Sequence, residues 1–514
     1  MINLNSRSIS DCQKFGGLRS KFWPIAPGEG EKFVLVSLIM LCTLFIYCTV
    51  RDLKDSLLAN MDGDISQSIS ILKIFLVLPV VFFAVMCLGK AIDKFGVKKT
   101  FLVANLFFLS FFLFFCLTIL PRHAQKKVSE IEISKLISAV TQQEKATSCT
   151  FFEKIFLLVD NWPITVFYIV AELWGALIVS SLFWQIASKA TSKNEEVRFF
   201  SRFSCIGSLG AIFSGCFTRS IDMKIGINNR ISYISIALVI SDVILVGLFL
   251  YLENKFMIKK IPKTDVKPVK KKVKFGFLDS FNCVLRSKYL IYISVITLSY
   301  GLAITVFDQV FKEKGSQSFE GGAEEFNNFL ALVSVGYGII SIIISFFSDT
   351  ILTKFKWKNA ALMEPVFMML FFPLFFVFSM LDNKNLKGIV LIVGIFADSF
   401  SKGIKNSIYD ATRQIAYRPL EKRLKTKGQA AVEAVGGKSG KTVGSIFVLL
   451  VRSSSGGLLG RLNIVVPVIF LILLAWSVVI MKLGKYYEKL KKEEKQSYLK
   501  TETTDKDQKT SAMA

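Results

Sequence analysis

Long blocks of apolar residues, separated by short polar stretches, dominate this 514-residue chain. A block of roughly 18 or more apolar residues with few charges is long enough to cross a bilayer as a helix. Hydrophobic residues make up 52% of the chain, and they fall into twelve such blocks. The approximate limits are 33–50, 69–88, 100–120, 163–187, 203–218, 231–253, 289–311, 326–348, 360–381, 386–409, 428–451 and 462–481. The sequence therefore predicts an all-α polytopic membrane protein with about twelve transmembrane helices.

A strongly basic segment divides the blocks into six and six. Eight lysines fall within residues 259–274. Two six-helix halves joined by a long central loop are typical of the major facilitator architecture. We therefore divide the chain into a tail (1–32), a first transmembrane half (33–253), a basic linker (254–288), a second half (289–481) and a charged C-terminal tail (482–514).

The positive charges predict the orientation, because cytoplasmic loops carry an excess of lysine and arginine. The formal net charge is +25. Basic residues concentrate in one alternate set of segments, which includes 89–100, 188–202, 254–288 and 349–359. Both termini are therefore predicted in the cytoplasm. We expect these segments to contact anionic lipid rather than nucleic acid, since no DNA- or RNA-binding motif accompanies them.

The chain contains little that suggests catalysis. Its only histidine, His123, lies in a polar loop, and its nine cysteines are scattered without a Cys-x-x-Cys pair. This pattern indicates neither a metal site nor a disulfide framework. We predict no enzymatic activity, no metal and no cofactor.

One segment is similar to the phosphate-binding loop of nucleotide hydrolases: Gly436-Gly437-Lys438-Ser439-Gly440-Lys441-Thr442. That loop would require glycine at position 435, where this chain has Val435, and no strand precedes it. We therefore do not expect ATP hydrolysis. The glycines, together with Gly444, would still let backbone and an anion approach closely.

Ionisable residues inside the apolar blocks are the strongest functional signal. Each costs roughly 2.5–3.5 kcal/mol near the bilayer centre, so such residues face a bundle interior or an aqueous path. They are Lys73, Glu172, Asp308, Glu364, Asp398, Lys402, Lys405, Glu433, Lys438 and Lys441. Arg51, Asp52, Lys54 and Asp55 directly follow the first block, either at the interface or within a longer helix.

Helical spacing predicts two acid–base pairs. Arg51 and Asp55 are four residues apart and can pair, with Lys54 beside them, and Asp398 and Lys402 have the same spacing.

Two further spacings bring like charges together. Lys402 with Lys405, and Lys438 with Lys441, are three residues apart on one helical face. Two such cations repel each other unless an anion lies between them, and a phosphate chain suits that place because lysine binds phosphate as a point charge. Salt bridges that only lock the bundle are the alternative interpretation.

Several motifs resemble those of known transporters. The segment from Gly89 to Lys99, with Asp93 and Gly96, resembles the loop motif of the major facilitator superfamily. A longer set resembles the ATP/ADP antiporter (nucleotide transporter) family of obligate intracellular bacteria and plastids, in order from about residue 22 to 485. Its motifs are Phe22-Trp23-Pro24-Ile25, Arg51-Asp52-Leu53-Lys54-Asp55, Ala171-Glu172-Leu173-Trp174-Gly175, Leu182-Phe183-Trp184, Ser401-Lys402-Gly403-Ile404-Lys405, Tyr409-Asp410-Ala411-Thr412 and Lys427-Gly428-Gln429-Ala430-Ala431-Val432-Glu433.

This resemblance implies exchange of ATP for ADP, plus phosphate, across a bacterial inner membrane. The family's functional charges correspond by motif to Lys54, Glu172, Asp308 and Lys441, where Asp308 replaces the usual glutamate. We add four candidate substrate-binding residues: Arg51, Lys402, Lys405 and Lys438. Trp174 or Trp184 could stack on a base.

Two alternatives to ATP/ADP exchange remain open. Family members differ in solute and coupling, so proton-coupled import of GTP, CTP, UTP or NAD is one, with Glu172 or Asp308 as the titrating acid. A carrier for an unrelated solute is the other.

Overall fold

The computed structural model describes residues 25–26, 28–61, 65–123, 151–221, 227–257, 284–319, 322–381, 386–417, 419–420, 432, 437–452 and 457–511. These residues are almost entirely helical. The helices are α1 (Gly30–Met61), α2 (Ile65–Ile71), α3 (Leu78–Ser110), α4 (Phe151–Asp160), α5 (Trp162–Trp174), α6 (Phe183–Ala190), α7 (Lys193–Ser220), α8 (Ile227–Leu252), α9 (Lys288–Ser318), α10 (Gly322–Lys354), α11 (Trp357–Met380), α12 (Lys387–Ile404), α13 (Asp410–Ala416), α14 (Gly437–Val451) and α15 (Leu462–Ser511). Wider π-helical turns join or extend them at Leu72–Val77, Phe111–Ile119, Gly175–Leu182, Glu253–Met257 and Lys405–Tyr409.

The described helices account for the twelve predicted spans. Nine segments are long and apolar enough to cross a membrane, and one of them, Ile65–His123, covers the second and third predicted spans. The helix that begins at Lys387 and the short α14 correspond to the tenth and eleventh predicted spans. They are not among the nine, because the first carries more charge and the second has fewer residues. The prediction of an all-α polytopic fold is confirmed.

The chain reverses at Gly96, within the predicted loop motif. Gly96 has φ +78°, a left-handed conformation that glycine adopts without strain. A straight helix from Lys73 to Phe108 would be about 50 Å long. Yet the turn Leu72–Val77 packs on α5, and the Phe108 ring lies 4.8 Å from the ring of Trp174 at the end of α5. The glycine thus places two antiparallel spans against the same helix.

The first helix is longer than its apolar block. It continues for eleven residues beyond the predicted end at residue 50, to Met61. Asp52, Lys54 and Asp55 are consequently buried inside the bundle and do not lie at the interface.

Close backbone contact between α7 and α10 joins the two halves. A Cβ atom added at Gly215 would lie 2.3 Å from the carbonyl oxygen of Ala331, and one at Gly338 would lie 2.8 Å from that of Ser208. The hydroxyls of Ser208 and Ser341 are 3.0 Å apart across the same contact. Small residues at helix crossings allow such close approach in membranes.

Ion pairs tie together the polar ends of α1 and α7. Lys32 Nζ lies 2.6 Å from Glu195 Oε1, and Arg198 Nη2 lies 2.9 Å from Glu29 Oε1. Burial alone would raise the pKa of Glu195, but hydrogen bonds from Lys32 and from the Ser192 amide hold it below its usual value. These pairs stabilise the first half as a unit while the carboxylate is ionised.

Glycines also set the contact between α9 and α14. A Cβ atom at Gly440 would lie 2.7 Å from the carbonyl oxygen of Leu298, and one at Gly301 would lie 2.9 Å from Gly440 Cα. Gly444 packs one turn further along, against Leu302 and Thr305. Gly440 and Gly444 therefore face a neighbouring helix, whereas the sequence suggested that they approach a ligand. Gly436 lies outside the described residues.

We expect Gly440→Ala to destabilise the protein, because its methyl group would force α9 and α14 apart. Overpacking of this kind typically costs about 1–3 kcal/mol. The measurement is the melting temperature of the purified protein in detergent. Gly247→Ala in α8 is the matched control, since no atom of a neighbouring helix lies within 4 Å of the added Cβ there. Equal melting temperatures for the two variants would show that the glycine contact is unimportant.

Candidate functional site

Lys54 is held by acids from two helices. Its side chain is 3% exposed, and its Nζ lies 2.8 Å from Asp55 Oδ1 and 3.3 Å from Glu172 Oε1. The ammonium also lies 3.8 Å from the centre of the Tyr168 ring. Two carboxylates and an aromatic face together stabilise a buried cation.

Asp55 extends these contacts into the second half. Its Oδ2 lies 2.9 Å from Lys312 Nζ on α9, and the same Nζ lies 2.6 Å from Asp308 Oδ2, one turn earlier on that helix. Only 1% of the Asp55 side chain is exposed. The buried pair between Asp55 and Lys312 thus links α1 of the first half to α9 of the second.

Asp308 continues the contacts to α12. Lys402 Nζ lies 3.6 Å from Asp308 Oδ1 and 2.8 Å from Asp398 Oδ2. The predicted pairing of Asp398 with Lys402 is confirmed.

These side chains form one continuous series of alternating acids and lysines, which we call the ion chain. Its members are Glu172, Lys54, Asp55, Lys312, Asp308, Lys402 and Asp398. Four carboxylates and three lysines give a formal charge of −1. A buried ion costs several kcal/mol when it has no partner. A phosphate oxygen offers a lysine the same negative charge and hydrogen-bond acceptor as a carboxylate, so a phosphate can replace an acid in this series.

The predicted pairing of Arg51 with Asp55 is wrong. Arg51 Nε donates to Asp52 Oδ1 at 3.0 Å, and Arg51 Nη2 donates to Ser334 Oγ on α10 at 2.6 Å. The Ser334 hydroxyl in turn donates to Asp52. Asp55 points instead toward Lys312, across the boundary between the halves. Arg51 therefore provides a second link between the halves.

Lys402 and Lys405 contact different carboxylates. The helix widens into a π turn at Lys405, and this changes the angle between successive side chains. Lys405 Nζ lies 2.9 Å from Asp410 Oδ2, whose other oxygen pairs with Arg413 at 3.0 Å. The two lysines thus belong to separate ion pairs.

Lys441 lies on α14, next to the helix that carries Asp308. Its side chain is exposed, and Ser445 follows one turn later. Gln309, which adjoins Asp308 in sequence, donates to Ser445 Oγ at 3.3 Å. The side chains of Lys438 and Glu433 lie outside the described residues.

Trp174 does not face a ligand space, contrary to one predicted role. It is fully buried, its ring lies 4.8 Å from that of Phe108, and its Nε1 donates to the Thr43 carbonyl at 3.3 Å. Trp184 is half-buried, with its ring 5.2 Å from that of Phe200.

Comparison with protein families identifies the family of this chain. The profile described as TLC ATP/ADP transporter matches residues 9–487. The chain belongs to the TLC ATP/ADP transporter family. The predicted family resemblance is thereby confirmed.

Curated relatives match over nearly their whole length. ADP,ATP carrier protein 1 of Rickettsia typhi is 28% identical over 492 residues, which covers 92% of this chain and 96% of the relative. ADP,ATP carrier protein 3 of the same species is 30% identical over 508 residues, with 93% and 98% covered.

Solved structures of transporters share the fold. The nucleoside transporter NupG aligns with a TM-score of 0.52 and 12% identity, covering 89% of this chain and 99% of that one. A POT family transporter in complex with 5-aminolevulinic acid aligns with a TM-score of 0.54 and 11% identity, covering 90% and 98%. Identities this low establish the shared fold alone. Together with the helix count, they confirm the predicted major-facilitator-like architecture.

Sequence reasoning missed two central members of the ion chain as site residues. Lys312 follows Asp308 by one helical turn, and this spacing could have identified it. Asp55 was assigned to the wrong partner because its true partner is 257 residues away in sequence. No spacing rule within one helix reports a contact between halves.

We expect the Asp55–Lys312 pair to be energetically coupled. Asp55→Asn and Lys312→Gln should each lower the melting temperature substantially, since breaking a buried pair costs about 3–5 kcal/mol. The double variant should lose clearly less than the sum of the two. The measurement is a double-mutant cycle of melting temperatures in detergent.

The exposed pair Lys489–Glu493, 4.0 Å apart, provides the control cycle and should show almost no coupling. Additive losses at Asp55 and Lys312 would contradict the assignment of a direct buried pair.

Proposed function

We propose that this protein exchanges ATP for ADP, plus phosphate, across the bacterial inner membrane by alternating access, without hydrolysing the nucleotide. Membership in the TLC ATP/ADP transporter family supports the substrate class. Relatives that match along almost the whole chain are named ADP,ATP carrier proteins. The observation that carries the mechanism is the ion chain between the two halves.

The lysines of the ion chain are the groups that bind the phosphates. Lys54 and Lys402 each contact two carboxylates. A nucleotide that enters the site takes over some of these contacts, so the ammonium groups remain partnered throughout. Glu172 and Asp308 act as the replaceable acids, because their side chains are the most exposed carboxylates of the series at 26% and 15%.

Further cations that follow α12 or lie on α14 extend the proposed site. Lys441 is exposed beside α9, and we assign it to the phosphates or to the path by which they enter. Lys405 is 34% exposed, so it can exchange Asp410 for a ligand at modest cost. We retain Lys438 as a candidate on the sequence argument, and we assign Arg51 to closure of the halves.

Closure by the ion chain explains why exchange should be obligatory. Separating the halves without ligand would leave Asp55 and Lys312 buried without each other, at a cost of about 3–5 kcal/mol. A bound nucleotide offers Lys312 another anion and allows its acids to be released. The empty carrier is therefore held in one conformation, whereas the carrier with bound nucleotide can change to the other.

The direction of closure follows from the proposed orientation. Both termini are cytoplasmic in our proposal, with six-helix halves at 33–253 and 289–481. The ion chain then lies toward the end at which α1 and α9 finish and α2 and α10 begin. This end faces the periplasm, so the described conformation is closed to the outside.

We expect proteoliposomes loaded with ADP to take up labelled ATP, and unloaded vesicles to take up little. Lys54→Gln should reduce uptake by about tenfold or more, since it removes a charge-assisted contact. Lys314→Gln is the matched control, because Lys314 lies two residues from Lys312 but points to the Ser379 carbonyl, 3.4 Å away. The measurement is the initial rate of uptake with and without internal ADP.

Equal uptake by loaded and unloaded vesicles would refute exchange. Uptake that requires an imposed pH gradient, with GTP, CTP, UTP or NAD preferred, would indicate proton-coupled import instead. A phosphate-free solute that is carried while ATP is ignored would remove the nucleotide assignment.

A further inference from the structure

Lys73 lies on a π-helical turn of the second span. The backbone between Leu72 and Val77 is π-helical, and the Lys73 carbonyl accepts from the amide of Leu78, five residues on. The described residues include five such turns, and π turns within α-helices frequently lie at functional sites. Lys73 is half-buried within the span.

The same side of this span contacts α9 beside the ion chain. Ser70, three residues before Lys73, donates to Gln309 Oε1 at 2.7 Å. Ser70 precedes the π turn by two residues and its partner Gln309 directly follows Asp308, so the start of the turn lies beside the ion chain. The charged groups near enough to act electrostatically on Lys73 include Asp308, Lys312 and Glu172. Lys73 therefore faces the ion chain from a helix that contributes no member to it.

Lys73 differs from the lysines of the ion chain in its contacts. Lys54, Lys312 and Lys402 each have two carboxylates within 4 Å. Among the residues that the structure describes, no carboxylate oxygen lies within 4 Å of Lys73 Nζ, so it takes no part in a salt bridge that locks the bundle. A lysine inside a membrane span is costly, and here no direct ion pair offsets that cost.

The charges of the cluster suggest what Lys73 binds. The ion chain carries −1, and the +1 of Lys73 makes the whole cluster neutral without a direct contact to any acid. All its carboxylates are already engaged by other lysines. Among the described residues no acid is left over for a direct contact with Lys73, and an anion that contacts several lysines at once would supply one.

We propose that Lys73 is a further phosphate-binding residue, which contacts the polyphosphate of a nucleoside di- or triphosphate from the side opposite α1. The proposal deepens the proposed function and rests on it for the identity of the nucleotide. The phosphate chain lies between Lys54 and Lys73, next to Asp308. Lys73 gains an ion pair that it does not form with any described residue when the ligand binds, whereas the other lysines exchange one partner for another.

Binding of inorganic tripolyphosphate to the purified full chain tests this directly. We expect tripolyphosphate to raise the melting temperature of the wild type and to compete with labelled ADP. Lys73→Gln should weaken tripolyphosphate binding roughly 10-fold or more, and Lys73→Arg should retain most of it, since arginine keeps the charge. Lys314→Gln, the control on α9, should bind as the wild type does.

The outcomes separate this proposal from the proposed function. Equal tripolyphosphate affinity of Lys73→Gln and the wild type overturns the Lys73 assignment, even if ATP/ADP exchange is intact. A lower melting temperature of Lys73→Gln without loss of affinity also overturns it, because the role is then structural. If Lys73→Gln loses affinity for tripolyphosphate but the wild type exchanges no nucleotide, Lys73 is supported as a phosphate ligand and the exchange function is refuted.

Discussion

The buried pair between Asp55 and Lys312 is the interaction on which the described conformation depends. It is the one ion pair of the described residues that joins α1 to α9, and each partner is also held by a neighbour on its own helix, Asp55 by Lys54 and Lys312 by Asp308. Breaking it exposes two charges to a low-dielectric interior, which costs several kcal/mol. Because its partners are themselves ion-paired, a change at this pair is transmitted to Glu172 on α5 and to Lys402 on α12.

Close helix packing gives this pair its fixed geometry. Backbone contacts at Gly215 and Gly338 hold α7 against α10, and those at Gly301 and Gly440 hold α9 against α14. Such contacts allow helices to slide or rock as rigid bodies, since few large side chains interlock. In the proposed transport cycle the halves move around the α7–α10 crossing, and the ion chain opens only when an anion takes the place of its acids.

Much of the fold could be predicted because the length of an apolar block and the spacing of charges are properties of a single segment. The twelve spans, the Gly96 reversal and the Asp398–Lys402 pair all follow from spacing within one segment. The failures share a physical cause. Arg51 and Lys405 were placed by ideal α-helical spacing, but Asp55 is attracted by a lysine from the other half, and a π turn redirects Lys405. Gly440 and Gly444 were assigned to ligand approach, whereas they serve helix packing. Contacts between distant helices leave no periodic trace in the sequence.

The central claim is that nucleotide binding releases the closure made by the ion chain. Spin labels at Met61→Cys and Gln317→Cys, at the C-terminal ends of α1 and α9 in a background without the nine native cysteines, report the separation of the halves there. The interspin distance should be narrowly distributed without ligand, and a second, longer population should appear when ADP is added or when Asp55 is replaced by Asn. A single unchanged distance under all three conditions would contradict the claim.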